Sequence, residues 1–219
     1  NYARIWQKIP FGLFTFNSFK LTILVTLIQV LTCSFAAYGF TKCKFRGRDT
    51  LFLCYIATIA IPWQIYMLPQ YSMMQKLGLV DTHLGYVLMQ AFAAFGVFLL
   101  RQFYQSVPDE LIEAARIDGL SEYGSYFRIV LPLAKPALAT LTIFTFVTIW
   151  NDFMGPMIYF NSESNKTIPL GIRMFIGQYS SEYQLIMAAS VVALLPVLIL
   201  YVFCQRFFVQ GIATSGLKG

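Results

Sequence analysis

The segment EAARIDGLSEYGSYFRIVLP, from Glu113 to Pro132, is a polar stretch between long apolar segments of this 219-residue chain. Just before it, Ser106 is followed three residues later by Asp109. This is the spacing of a capping box, and it predicts a short helix that begins near Val107. Gly119 then predicts the left-handed residue that ends this helix.

The residues on either side of Gly119 therefore predict a helical hairpin. Four residues of the first helix share one face at spacings of three and four: Leu111, Ala114, Ala115 and Asp118. The two alanines lack bulk, so another surface can approach the backbone there. A second helix is expected from about Ser121 to Val130, with Leu131 and Pro132 closing the element. By physics alone, the hairpin either docks against a separate domain or lies as an amphipathic pair on a membrane surface.

The composition is that of an integral membrane protein. Hydrophobic residues make up 58% and charged residues 12% of the chain, whereas ordinary soluble domains contain about 25% charged residues. The mean hydropathy is +0.63. The formal net charge is +6, but the basic residues are scattered among apolar runs and form no basic helix. We therefore expect a lipid bilayer around the chain and no nucleic-acid partner.

Five apolar windows are long enough to cross a bilayer as helices, which takes about 20 residues each. They extend over about Asn17 to Gly39, Thr50 to Met73, Leu84 to Tyr104, Ala137 to Tyr159 and Leu185 to Phe208. Backbone amides find no partner in hydrocarbon, so each window is expected to be a helix that closes its own hydrogen bonds. The predicted fold is an all-α, polytopic helical bundle with one transmembrane domain over residues 17–208.

The distribution of cations predicts the orientation of this bundle. Four basic residues lie in the short loop between the first two windows: Lys42, Lys44, Arg46 and Arg48. The positive-inside rule places this loop in the cytoplasm. Alternation then puts the loop 105–136 and the tail 209–219 in the cytoplasm as well, and the lead-in segment 1–16 outside the cell.

Residues suited to catalysis or metal binding are sparse. His83 is the single histidine, and the four cysteines show no CxxC spacing: Cys33, Cys43, Cys54 and Cys204. No metal site, disulfide framework or cofactor is expected. The sequence also contains no GxSxG, HExxH or phosphate-binding GxxxxGK[ST] motif. We therefore expect the chain to be neither an enzyme nor an ATPase.

The polar segment also has the residue order of a known docking loop. It places Glu-Ala-Ala at residues 113–115, Gly119 after three residues, and Ile129, Leu131 and Pro132 after nine more. This order resembles the loop by which permease subunits of bacterial ATP-binding-cassette importers grip their ATPase. Four other segments are similar to carbohydrate permeases of the maltose and multiple-sugar type: Ile61 to Leu88, Trp150 to Phe160, Lys166 to Ile172 and Gln205 to Gly219.

The resemblance implies a non-catalytic, multi-pass transport subunit of the cell (inner) membrane. Seven residues would couple it to the ATPase: Glu113, Ala114, Ala115, Gly119, Ile129, Leu131 and Pro132. Two copies of a separate ATPase subunit would hydrolyse ATP and drive alternating access. A second permease subunit would complete the path, as a heterodimer or as a homodimer, and an extracytoplasmic sugar-binding protein would deliver the solute.

The same resemblance leaves several alternatives open. Because such permeases have both ends in the cytoplasm, a sixth helix is expected before Asn1. Residues 211–219 would form either a second contact with the ATPase or a frayed terminus. The function itself has two alternatives, which are an importer of the same class for a non-sugar solute and a stand-alone channel or secondary carrier.

The residues Trp150 to Asp152 place a charge inside a predicted span, where a carboxylate is costly unless it is paired or wetted. One hypothesis is that Trp150, Asn151 and Asp152 line the translocation path, with the ring offering a stacking surface for a sugar. The other is that Asp152 caps the Gly-Pro break that follows it or pairs with a neighbouring helix. Three prolines interrupt predicted spans and are candidate bends for alternating access: Pro62, Pro69 and Pro196.

Overall fold

Helices form the regular structure of this chain. The computed structural model describes residues 1–177 and 182–215, with side chains described as far as residue 203. Within these ranges there are thirteen α-helices, two 3-10 turns and one π turn, and no strand.

The α-helices are, in chain order, α1 (Tyr2–Lys8), α2 (Phe11–Lys42), α3 (Arg48–Ala57), α4 (Trp63–Lys76), α5 (His83–Met89), α6 (Ala94–Gln105), α7 (Asp109–Ile117), α8 (Glu122–Ser125), α9 (Leu131–Leu133), α10 (Lys135–Trp150), α11 (Met154–Tyr159), α12 (Ile168–Arg173) and α13 (Tyr183–Ser215). The 3-10 turns span Thr58–Ala60 and Glu163–Asn165, and the π turn spans Tyr126–Val130.

Two helices are each long and apolar enough to cross a membrane, over Phe11–Lys42 and Tyr183–Phe203. Three helix pairs meet the same criterion together, each bent by more than 40° at a short break: Arg48–Ala60 with Trp63–Lys76, His83–Met89 with Ala94–Gln105, and Glu122–Leu133 with Lys135–Trp150. The described part of the chain thus holds two to five candidate crossings. The predicted all-α polytopic fold is confirmed.

The expectation of unbroken spans is wrong for the second window, Thr50 to Met73. The helical turn ends at Ala60, Ile61 is extended with φ −90° and ψ 109°, and α4 begins two residues later. Pro62 explains the break, because a proline has no N–H for the helical ladder and disfavours helical geometry in the residue before it. Pro62 was one of the prolines predicted as candidate bends, and the 101° bend at this break confirms it.

The third and fourth windows are broken as well. Helix α5 ends at Met89, and Ala93 is extended before α6 begins. Helix α10 ends at Trp150, nine residues before the predicted end of its window, and α11 is a separate short helix. A hydropathy window averages side-chain polarity and carries no information on where the backbone leaves the helical region, so it missed these breaks.

The fifth window matches α13, which runs past the predicted end at Phe208 to Ser215. Pro196 lies inside α13 and Pro69 inside α4, and neither proline ends its helix. The predicted tail 209–219 is therefore helical as far as Ser215, and residues 216–219 lie outside the described part of the chain.

Contacts divide the described chain into two compact units. The first consists of residues 1–26, 66–90, 145–177 and 182–203. Its main core contains Ile5, Ile9, Phe11, Phe14, Trp150, Ile168, Phe175, Leu185, Ala188 and Ala189. Polar groups also hold this unit together, because the Asn17 amide donates to the carbonyls of Ser164 and Lys166 at 2.7 and 3.0 Å.

The second unit consists of residues 27–65, residues 91–144 and the end of α13. Its core contains Cys33, Ala37, Tyr38, Phe52, Val97, Leu100, Tyr104, Ile112, Tyr126, Val130, Ala134, Ala137 and Leu141. Residues of the predicted polar hairpin, such as Ile112 and Tyr126, therefore belong to this core. The hairpin is therefore packed against the rest of the second unit.

Candidate functional site

The predicted hairpin is present as α7, α8, the π turn and α9, and these elements are called the α7–α9 hairpin (residues 109–133) below. Its start differs from the prediction. Helix α7 begins at Asp109 with Pro108 as N-cap and no side-chain cap, and the Ser106 hydroxyl instead donates 2.7 Å to the carbonyl of Phe103. The predicted capping box is therefore wrong, because Ser106 is already the C-cap of α6.

Gly119 forms the corner of the hairpin. Its φ is +83°, so the predicted left-handed residue is confirmed. The N–H of Leu120 donates 2.9 Å to the carbonyl of Ala115, and the N–H of Gly119 donates 3.0 Å to that of Arg116. These two bonds are the Schellman pattern, which satisfies carbonyls that the end of α7 would otherwise leave unpaired.

The two alanines of the motif do not share an open face, which corrects the prediction. Ala115 is 4% exposed and is, with Ile112, one of the two buried residues of α7. Glu113 and Ala114 are exposed instead, and Ile117 is 86% exposed. The physical reason is the helical period of 3.6, because neighbouring residues lie about 100° apart and only one of the two alanines can face the core.

The second arm begins as predicted and ends differently. Ser121 is the N-cap of α8, and its hydroxyl accepts 3.2 Å from the N–H of Gly124. The chain then widens into the π turn and continues to Leu133, so Pro132 does not close the element. Pro132 has no N–H to donate to the carbonyl four residues earlier, which is a local cause for the loss of regular α-helical bonding.

The last three motif residues also divide between two sides. Ile129 and Leu131 are partly buried against the core of the second unit, whereas Pro132 is exposed. The hairpin therefore turns Ala115, Ile129 and Leu131 inward. It presents four of the predicted coupling residues on its outside: Glu113, Ala114, Gly119 and Pro132.

A buried cation holds the start of the hairpin. The side chain of Lys42 is 4% exposed, and its ammonium donates 2.6 Å to the carbonyl of Val107 and 2.6 Å to Oδ1 of Asp109. The hydrogen bond from Lys42 lowers the pKa of the Asp109 carboxyl. In the sequence, Lys42 indicated only the orientation of the chain, and its contact with Asp109 was not predicted. A cation at the very end of an apolar helix, before an acidic helix start, was the available signal.

A second cluster of charges closes the corner between α7 and α8. The Arg116 guanidinium donates 2.6 and 2.9 Å to Oε1 of Glu122. The other carboxylate oxygen of Glu122 accepts 3.0 Å from the hydroxyl of Tyr38. The hydrogen bonds with Glu122 raise the pKa of Arg116. The predicted site included neither Tyr38 nor Glu122, since their distance in sequence gives no sign of contact.

The second candidate site, Trp150 to Asp152, lies in the first unit. Trp150 is 3% exposed and its indole N–H donates 2.9 Å to the carbonyl of Ala193. Asn151 is exposed and donates 2.8 Å to the carbonyl of Val147. Asp152 accepts from the hydroxyl of Tyr86 at 2.7 Å and from the N–H of Gly155 at 3.1 Å. Asp152 therefore caps the start of α11 and pairs with α5. This agrees with the hypothesis that Asp152 caps the Gly-Pro break or pairs with a neighbouring helix.

An open groove of about 410 Å³ lies beside this segment. Its lining residues are mainly apolar: Trp150, Asn151, Phe153, Ile168, Pro169, Ile172, Ser190, Ala193, Leu194 and Val197. Asp152 is not among them. The polar lining side chains are the amide of Asn151 and the hydroxyl of Ser190. The described residues contain no group of three or more His, Cys, Asp or Glu that could hold a metal ion.

Comparison with protein families gives a match over residues 11–214 to the family described as "Binding-protein-dependent transport system inner membrane component". Among curated proteins, the arabinooligosaccharides transport system permease protein AraQ of Halalkalibacterium halodurans is 36% identical over 93% of this chain and 73% of the relative. The lactose transport system permease protein LacG of Rhizobium radiobacter is 32% identical over 98% and 79%. The sn-glycerol-3-phosphate transport system permease protein UgpE of Pectobacterium atrosepticum is 33% identical over 98% and 79%.

Solved structures show the same fold. A chain of a bacterial ABC transporter that imports the acidic polysaccharide alginate matches with a TM-score of 0.84 and 25% identity, over 94% of this chain and 78% of that chain. A chain of the MetNI methionine ABC transporter in an inward-facing conformation matches with a TM-score of 0.64 and 13% identity, over 87% and 91%. The second likeness concerns the fold alone.

Proposed function

The chain belongs to the family of binding-protein-dependent transport system inner membrane components, and we propose that it is the permease subunit of an ATP-driven importer of sugars. Two of its relatives are named for sugars, arabino-oligosaccharides and lactose. A third is named for sn-glycerol-3-phosphate, which keeps a non-sugar solute as the alternative. ATP would be hydrolysed by two copies of a separate ATPase subunit.

The observation that carries the coupling role is the exposed outer side of the α7–α9 hairpin. The small side chain of Ala114 lets a partner come close to the backbone, and the neighbouring Ile117 is 86% exposed. A single exposed isoleucine is common on protein surfaces, so the support for docking is the small exposed Ala114 beside the fixed corner at Gly119. We propose that this side, with Glu113 and Gly119, enters a cleft of the ATPase subunit.

Orientation and partners follow from the same proposal. The hairpin and the C-terminus would be cytoplasmic, and the lead-in residues 1–16 would lie outside. The transmembrane domain of residues 17–208 would pair with a second permease subunit, as a heterodimer, to enclose the path. An extracytoplasmic sugar-binding protein would deliver the solute to the outer mouth.

For the path itself, we propose that the segment Trp150 to Asp152 contributes to the lining, with a separate task for each residue. The exposed amide of Asn151 beside the groove would meet the solute. The buried ring of Trp150 and the bonded carboxylate of Asp152 would hold that amide in place. This proposal is supported by the burial of Trp150 and the exposure of Asn151.

Docking is tested by purifying the chain together with its ATPase subunit. Ala114→Trp adds bulk to an exposed position, so the bundle should fold while the ATPase no longer co-purifies. Ala3→Trp is the matched control, since Ala3 is an exposed alanine in another short helix, α1, and it should leave the complex intact. An ATPase that stays bound to the Ala114→Trp chain would remove the coupling role of this hairpin.

Solute class is tested in vesicles that contain the complete importer. Radiolabelled arabinotriose, lactose and sn-glycerol-3-phosphate are offered outside, with ATP supplied to the ATPase subunits. ATP-dependent uptake of either sugar is expected. Uptake of sn-glycerol-3-phosphate alone would establish the non-sugar alternative, and uptake that persists without the ATPase would indicate a channel or secondary carrier.

A further inference from the structure

Three polar side chains lie on one face of α2 at intervals of four residues: Ser34, Tyr38 and Lys42. They are called the α2 stripe below. Residues four apart on a helix project from the same side, about one turn above one another. All three are buried, with 1%, 5% and 8% of their surface exposed. An apolar helix therefore hides a row of hydrogen-bonding groups inside the second unit.

Each member of the α2 stripe binds a different part of the α7–α9 hairpin. Lys42 binds Asp109, the first residue of α7, and Tyr38 binds Glu122, the first residue of α8. Ser34 exchanges a 2.7 Å hydrogen bond with the hydroxyl of Tyr126, at the start of the π turn. The order of the contacts along α2 is the reverse of their order along the hairpin.

The deepest contact also includes helix α6. The Ser34 hydroxyl lies 2.6 Å from the hydroxyl of Tyr104, as well as 2.7 Å from that of Tyr126. Both tyrosines are fully buried, and the ring of Tyr126 stacks on Phe35 with centroids 4.5 Å apart. Buried hydroxyls cannot replace a lost hydrogen bond with one to water. Breaking the bond between Ser34 and Tyr126 would therefore leave a buried hydroxyl without its partner.

These bonds restrict how the hairpin can move on α2. A slip by one helical turn, about 5.4 Å, would separate all three pairs at once. Each break would cost the desolvation of a buried group, and networks of this kind are more rigid than their single bonds suggest. The hairpin and this part of α2 are therefore expected to move as one body.

We propose that the α2 stripe is the mechanical link through which force on the α7–α9 hairpin reaches the transmembrane helix α2. This inference rests on the proposed function, in which an ATPase subunit binds the outer side of the hairpin. Ser34, Tyr38 and Lys42 act as positioning residues, because none of them lies on that outer side. Their task is to make closure of the ATPase move the membrane helix.

The test measures ATP hydrolysis by the purified complete complex, with no solute and no binding protein present. In the unaltered complex, ATPase closure has to move α2, and this load slows the cycle. Lys42→Met and Tyr38→Phe release the load, so the rate should rise by at least roughly twofold, a size in line with the coupling carried by single side chains. Retention of the ATPase subunit is measured on the same samples, because an ATPase that has lost docking would carry no load either. The rates are therefore compared for complexes that retain it.

Conservative and matched variants complete the test. Lys42→Arg keeps a cation that can bind Asp109, so this variant should hydrolyse ATP at the slow rate of the unaltered complex. Lys44→Met removes an exposed cation two residues away, and Tyr55→Phe removes a hydroxyl that makes no hydrogen bond within the described residues. Both controls should leave the rate unchanged.

The outcomes separate this inference from the proposed function. A bound ATPase with an unchanged or lowered rate in both Lys42→Met and Tyr38→Phe would overturn the link. Loss of the ATPase from these two variants would assign the α2 stripe to docking and would also overturn it. If the unaltered chain does not retain an ATPase at all, the proposed function fails.

Discussion

The hydroxyl of Tyr86 donates a 2.7 Å hydrogen bond to Oδ2 of Asp152, while Oδ1 of the same carboxylate accepts the N–H of Gly155 at 3.1 Å. Tyr86 is 1% exposed. A methyl group at Gly155 would lie 3.1 Å from the Tyr86 ring, so the three residues are in close contact. Both oxygens of Asp152 are thus engaged, which joins α5 to the start of α11.

Asp152→Ala is expected to destabilise the protein by about 1–3 kcal/mol, because it removes the carboxylate that accepts from the buried Tyr86 hydroxyl and from the Gly155 N–H. Thermal unfolding of the purified chain in detergent measures this loss. Asn151→Ala is the control, since among the described residues the exposed Asn151 side chain bonds only to its own helix, and its effect should stay within about 0.5 kcal/mol. Equal stability of the Asp152→Ala chain and the unaltered chain would contradict the assignment.

Gly119 and Gly39 provide a matched pair for backbone strain. A Cβ at either position would meet no atom within 4 Å, but Gly119 has φ +83° and Gly39 lies inside helix α2. Gly119→Ala should therefore destabilise by about 1–2 kcal/mol, and Gly39→Ala should be neutral or stabilise by about 0.5–1 kcal/mol. The unfolding temperatures of both variants check this. A similar shift for the two alanines would show that φ is not the deciding factor.

Gly96 marks a close approach of helices in the second unit. A Cβ there would lie 2.7 Å from Sγ of Cys33 and 3.1 Å from Cδ1 of Leu141. Gly96→Ala should thus cost about 1–3 kcal/mol through overpacking. Adding Cys33→Ala removes the nearest atom and should recover part of the loss, which a double-mutant cycle of unfolding free energies measures. Purely additive effects would contradict the contact.

Asp81 clamps the segment that follows α11. Its carboxylate accepts from the N–H of Asn161, from the N–H and hydroxyl of Ser162 and from the amide of Asn165. The Ser162 hydroxyl is the largest of the causes that lower the Asp81 pKa to about 2. Asp81 also has φ +59°, a conformation that Asp and Asn adopt more readily than most residues.

This clamp should weaken in acid. An unfolded aspartate has a pKa of about 3.9. Because the folded pKa is depressed, the contribution of Asp81 is fully present above about pH 4 and is lost as the pH falls toward about 2. The difference in free energy of unfolding between the unaltered chain and Asp81→Asn should thus be constant near neutral pH and shrink below about pH 4. Asn keeps the backbone preference, so the variant isolates the charge.

A control for this titration is Glu110→Gln. Glu110 is exposed and makes no side-chain hydrogen bond within the described residues. Its substitution should therefore leave the pH dependence of the free energy of unfolding unchanged. A pH-independent difference between the unaltered chain and Asp81→Asn would mean that the ionised carboxylate does not hold the segment.

Several features could be read from local sequence because their cause is local. The apolar windows predicted helices, since a backbone without water must close its own hydrogen bonds. Gly119 was recognised as the corner of the hairpin, since a positive φ favours glycine. Pro62 was recognised as a candidate bend, since the proline ring acts on its own residue and the one before it.

Other predictions failed because a local pattern is compatible with more than one structure. Ser106 fits a capping box but serves as the C-cap of α6, and Pro108 precedes α7 instead. The two alanines of the motif were placed on one open face, yet Ala115 is buried and Ala114 is exposed. Sequence spacing shows which residues can share a helix face, but not whether that face packs against the core or is exposed.

The amino-acid sequence by itself determined the helical membrane fold, the corner at Gly119, the break at Pro62 and the family to which the chain belongs, because these depend on composition and on short motifs. Only the tertiary structure decided which polar residues meet. The α2 stripe reaches Glu122 across 84 residues from Tyr38 and Asp109 across 67 residues from Lys42. Such bonds form because a buried polar group must find a partner wherever packing brings one, and nothing in the intervening sequence encodes that distance.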